Sequence, residues 1–80
     1  MLIQLVRSAS SIGANYAEAN NAGSKKDFRN KIYICKKESQ ETKYWLKVLK
    51  ATLDTAELDI LSQESHELNL IFQKIASSTK

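Results

Sequence analysis

Phe28, Ile32, Cys35, Ser39, Thr42, Leu46, Leu49 and Leu53 follow one another in alternating steps of four and three residues without a slip. Only an α-helix gathers such a series onto one flank, so the spacing predicts a single long, coiled-coil-like helix through the middle of the chain. With Ile32 as a and Cys35 as d, Arg29, Lys36, Lys43 and Lys50 take four successive e positions. A basic ridge therefore borders the apolar seam.

Two shorter helices flank this one. Leu2, Leu5, Val6, Ala9, Ile12 and Tyr16 keep the same rhythm and predict helix A over about 2–20. It closes at Asn20-Asn21-Ala22-Gly23, residues that tolerate the left-handed conformation of a helix end. Ser24 with Asp27 three residues on resembles a capping box, which starts helix B, about 25–53. Asp54 and Thr55 offer the next N-cap, and Glu57 and Asp59 suit the positive end of a new helix dipole. Helix C follows over about 56–78, with Leu58, Leu61, Ser65, Leu68, Phe72 and Ile75 as its stripe, and the tail at 77–80 is expected to fray. No proline interrupts any of them. Gly13 falls inside helix A at a cost of about 1 kcal/mol relative to alanine; a bend or the close approach of another helix would account for it, and close packing is the expectation.

These elements predict an all-α fold: one domain, an antiparallel up-down helical bundle. Ser39 and Thr42 place two polar layers inside the central seam, where small hydroxyl side chains bond to the preceding turn and let a neighbouring helix approach. Ile34, Trp45, Val48, Leu70 and Ile71 lie beyond the seams, which leaves more apolar surface than three helices need. Such a patch marks an interface, and a chain of 80 residues without disulfides or metal is usually steadied by oligomerisation. The side of helix B bearing Trp45 is the expected working surface of an assembly module.

The net charge of +3 and a pI near 9.1 are mild, but the cations are concentrated. Lys25, Lys26, Arg29, Lys36, Lys43, Lys47 and Lys50 lie on the e and b positions of helix B or on its first turn. Successive e residues stand about 10.5 Å apart, a track that can follow a phosphate backbone without reading sequence. The competing reading has these lysines covering core edges and pairing with acids of a neighbouring helix. Tyr33 and Tyr44 read as packed rings with their hydroxyls in water.

Nothing points to catalysis. Cys35 sits at a d position, where a thiol behaves as a small apolar group. His66, the only histidine, faces outward, so no metal site and no cofactor are expected. Glu38, Glu41, Glu64 and Glu67 read as solvated helix residues. The lone cysteine suggests a reducing compartment, the cytoplasm, and no apolar run is long enough to span a membrane.

Two blocks carry a family resemblance. Arg7-Ser8-Ala9-Ser10-Ser11-Ile12-Gly13-Ala14-Asn15-Tyr16-Ala17-Glu18 with Ser24-Lys25-Lys26-Asp27-Phe28, and Lys36-Lys37-Glu38-Ser39-Gln40-Glu41-Thr42-Lys43-Tyr44-Trp45-Leu46, together resemble the bacterial four-helix-bundle family of 23S rRNA intervening-sequence proteins. Many members have proline where this chain has Gly13 and glycine where it has Ala19, and they begin with a further helix upstream. The resemblance implies the last three helices of a four-helix bundle. It also implies homo-oligomerisation, as a pentamer in a similar accessory protein of diversity-generating retroelements, with nucleic acid and a reverse transcriptase as partners. Asn15 and Glu18 match polar motif positions and are expected to bond between helices or subunits.

Overall fold

Ser24 decides where the long helix begins. Its backbone is extended at φ −151° and ψ 163°, and its Oγ accepts from the Asp27 amide at 3.1 Å, satisfying one of the unpaired donors of the first turn. The structure, a computed structural model, describes residues 2–53 and 55–78. In it α1 spans Leu2–Asn20, α2 Lys25–Thr52 and α3 Ala56–Ser78, with no strand among the described residues. The Leu58 amide donates to Thr55 Oγ1 at 3.3 Å, so Thr55 caps α3. Asp54, the other residue of that expected cap, lies outside the described residues, as do Thr79 and Lys80 of the tail expected to fray; Ser77 and Ser78 are helical.

The close of α1 differs from expectation. No described residue has positive φ; the helix tightens instead, with Asn21 and Ala22 amides donating to the Glu18 and Ala19 carbonyls at 3.2 Å. Asn21 Nδ2 adds a bond to the Ala17 carbonyl at 3.0 Å, so side-chain capping replaces the left-handed turn.

Helix α2 is central, and α1 and α3 both run antiparallel to it. Ser8 meets Thr42 and Glu18 meets Lys31 on one side; Asp59 meets Lys50 and Asn69 meets Ser39 on the other. No α1 Cα comes within 8 Å of an α3 Cα among the described residues. The two outer helices touch through side chains such as Tyr16 and Phe72, edge to face at 6.1 Å between centroids. The fold is all-α, an antiparallel up-down three-helix bundle as expected, flattened to extents of 43 × 22 × 14 Å with α2 between its neighbours.

Ile12, Ala19, Ile32, Cys35, Phe72 and Ala76 form the buried cluster, with Phe28 and Ile75 packed against it. The central seam is seated as its spacing predicts down to Leu49, whereas Leu53 is exposed. In the outer helices the stripes are turned. Toward α2, α1 buries Ser8, Ile12 and Ala19, and α3 buries Leu58, Ser65, Asn69, Phe72 and Ala76. Other apolar residues point elsewhere: Val6 is 62%, Leu61 47% and Leu68 37% exposed. Small side chains among the buried set let the outer helices approach α2 closely, and Leu61 and Leu68 are left at the gap between α1 and α3.

Gly13 also contradicts the expectation of close packing. A Cβ built there meets nothing within 4 Å, and the helix continues through it. With an ordinary helical backbone and open space, Gly13→Ala should stabilise the isolated chain by about 0.5–1 kcal/mol through helix propensity and reduced unfolded-state entropy. A urea-melt midpoint that stays put or falls would contradict this.

Candidate nucleic-acid interface

The heptad that faces the core leaves its mirror stripe facing water. Lys26, Asn30, Tyr33, Lys37, Gln40, Tyr44, Lys47 and Ala51 repeat the same four-three spacing on the opposite side of α2, and every one of them is exposed. This outward face carries no carboxylate. No ion pair joins Lys26, Lys37 or Lys47 to another described residue.

The basic ridge lies along one border of that face, at the seam with α3, and Arg29, Lys36, Lys43 and Lys50 are all partly buried. Lys43 and Lys50 have α3 partners. Lys50 pairs with Asp59, and Lys43 Nζ lies within hydrogen-bond distance of His66 Nδ1 at 3.0 Å. Lys36 Nζ stands 5.9 Å from the Tyr33 ring centroid, within cation–π range. The pairing of ridge lysines with acids of a neighbouring helix, expected as the competing reading, is thus met at position 50, while Lys43 meets a histidine instead. Lys25 and Lys26 are exposed at the N-terminal end of the helix, and Lys47 belongs to the outward face. Lys37 belongs there too, a residue the sequence reading passed over because it lies at f, opposite the seam.

The far border carries the acids. Glu41 Oε2 accepts from Arg7 Nη2 at 2.8 Å. Glu38 is buried, and its Oε2 accepts no hydrogen bond but lies 3.7 Å from Arg7 Nη1. These carboxylates, expected to be solvated, instead tie α2 to α1. Glu18 pairs with Lys31 at 2.6 Å, and that hydrogen bond with its added charge attraction raises the lysine pKa above the usual range. Asn15, expected to bond to another helix or another subunit, donates to the Ser11 carbonyl of its own helix at 2.9 Å. Burial pushes the Cys35 thiol pKa upward, and its Sγ donates to the Ile12 carbonyl at 3.6 Å; a protonated thiol in that position is a poor nucleophile.

Both tyrosines stand out from the surface rather than packing into it: Tyr33 is 46% and Tyr44 58% exposed. Tyr44 lies edge-on to Trp45, with centroids 5.0 Å apart and planes at 73°. The indole is partly buried.

A second surface is apolar. Between α1 and α3 a pocket of about 380 Å³ is walled by Leu5, Val6, Leu61 and Leu68, with Thr42 and Leu46 of α2 as its floor. A neighbouring pocket of about 350 Å³ continues it past Gly13, Tyr16 and Ile71. Of the five residues expected to form one interface, only Ile71 lines this groove; Ile34, Val48 and Leu70 do not. Sequence periodicity alone does not say which flank of a wide apolar arc is left uncovered.

The described residues include no helix long and apolar enough to cross a membrane and no cluster of three or more potential metal ligands.

Comparison with known proteins finds a family and solved structures. The family described as 23S rRNA-intervening sequence protein matches residues 1–76. A crystal structure from Bacteroides thetaiotaomicron, of a protein with unknown function from the S23 ribosomal protein family, is 43% identical with a TM-score of 0.83. The match covers 91% of this chain and 69% of that one. No curated protein matches.

Proposed function

This chain belongs to the 23S rRNA-intervening sequence protein family, and from that premise we propose that it is a non-enzymatic helical-bundle protein that assembles with its own kind and contacts RNA through the outward face of α2. The observation that carries the RNA contact is the absence of carboxylates from a stripe running the length of α2 while lysines recur along it. A polyanion is the complementary partner for such a face, because each phosphate neutralised releases condensed counterions. The ridge contributes at its border, with Lys36 nearest the face. The cell compartment in this reading is the cytoplasm.

Assembly rests on a separate feature, the apolar groove. Val6, Leu61 and Leu68, left in water on the two outer helices, call for a helix laid between them, which would complete the four-helix bundle that the family resemblance implies. A pentameric arrangement and a reverse transcriptase as partner belong to the same resemblance.

Salt titration of binding to a structured RNA tests the reading. Wild-type affinity should fall steeply with salt, and the slope of log K against log salt should drop by about one for each phosphate-contacting lysine changed to glutamine at positions 26, 37 and 47. Lys74→Gln on α3 serves as the control and should leave the slope unchanged. Absence of binding at low salt would remove RNA from the proposal. If sedimentation then gave a mass above the monomer, the second reading, a protein assembly module built on the groove, would stand alone.

A further inference from the structure

Tyr33 and Tyr44 are eleven residues apart in α2, three turns, which returns the second ring to within about 20° of the first and sets the two about 16 Å along the axis. Between them on the outward face lie Lys37 and Gln40, and Lys47 follows. Lys36 stands near Tyr33, and Tyr44 and Trp45 meet in a T-shaped pair, while both tyrosine rings remain about half exposed. Two half-exposed aromatic rings thus share a helix face with cations and no acid.

A phosphate track needs only the cations. In an A-form duplex the base faces are stacked on one another and unavailable, so exposed rings add nothing to its recognition beyond what a hydroxyl can reach. A single strand offers unstacked bases, and aromatic side chains set beside a basic groove bind it by stacking without regard to sequence. At a stacked rise of ~3.4 Å per nucleotide, roughly five nucleotides span the two rings.

Resting on the RNA-binding reading above, we propose that the outward face of α2 takes single-stranded RNA segments, such as loops or unpaired ends, by stacking bases on Tyr33 and Tyr44 while Lys37 holds a phosphate between them and Lys47 one beyond Tyr44. Specificity is then for strandedness rather than for sequence.

The test compares a 12-nucleotide oligouridine with a 12-base-pair RNA duplex at one fixed salt concentration. Tyr33→Ala and Tyr44→Ala should each weaken binding of the single strand by roughly tenfold and leave the duplex within about twofold; Phe at either position should restore most of the loss. Trp45, the only tryptophan, reports on Tyr44: oligouridine should quench its fluorescence in the wild type and much less in Tyr44→Ala. Because both side chains are surface residues, circular dichroism should show the variants folded. Equal affinity changes for strand and duplex, or none, would overturn the stacking proposal while leaving lysine-dependent binding intact. Loss of all binding in the wild type would instead overturn the RNA reading on which it rests.

Discussion

Ile32→Ala lowers the unfolding free energy by about 2–5 kcal/mol, the span for emptying a closed aliphatic site. Ile32 is 0% exposed and belongs to the cluster that joins all three helices through Ile12, Cys35 and Phe72. At roughly 0.05–0.15 kcal/mol per residue, a chain of this size has about 4–12 kcal/mol in total. The substitution therefore removes a large part of its stability, and at the lower end of that range the variant is substantially unfolded at 37 °C. Ile32→Val, which keeps most of the volume, should cost only about 0.5–1.5 kcal/mol. Urea unfolding followed by circular dichroism separates the two. An Ile32→Ala loss below about 1 kcal/mol, outside the range for a sealed site, would mean that the helices collapse around the gap.

The second large effect is on the polar layers. Asn69 is almost wholly buried; its Nδ2 donates to Ser39 Oγ at 2.7 Å and to the Lys36 carbonyl at 3.3 Å, and its Oδ1 accepts from Gln73 Nε2 at 2.6 Å. Ser39 in turn donates to the Lys36 carbonyl at 2.8 Å. Across the seam, Thr42 donates to Ser8 at 3.0 Å or to the Glu38 carbonyl at 2.9 Å, and Ser8 donates to the Leu5 carbonyl at 3.1 Å. These bonds fix the register of each outer helix on α2. Asn69→Ala removes three bonds and side-chain volume together, at about 2–3 kcal/mol. Ser39→Ala alone costs less, because Asn69 keeps the Lys36 carbonyl as a partner. In a double-mutant cycle the two should couple by about 1 kcal/mol. Additivity within about 0.3 kcal/mol would sink the claim that the pair acts as a unit.

Much of this was legible in the chain itself. The seam from Phe28 to Leu49 is a local pattern, and Ser24 is a local signal; both act through neighbours within four residues, where helix geometry leaves little freedom. The concentration of cations on α2 was equally plain. The sequence reading missed Asn69 and Ser8. Each is a lone polar residue beside an apolar stripe, and its burial follows only from which flank of its helix meets α2. The ion pairs of Glu38 and Glu41 with Arg7 were not legible either, since they join residues more than thirty positions apart.

The pattern of residues by itself determined that the chain is helical, where α2 begins and which of its flanks is wet. Those are matters of hydrogen bonding and periodicity within a turn or two of the chain. Tertiary structure alone decided how the outer helices are rotated. Their apolar arcs are wider than one neighbour covers, so close approach on small residues such as Ser8, Ser65 and Ala76 won the contact with α2. The same choice turned Val6, Leu61 and Leu68 into an open groove.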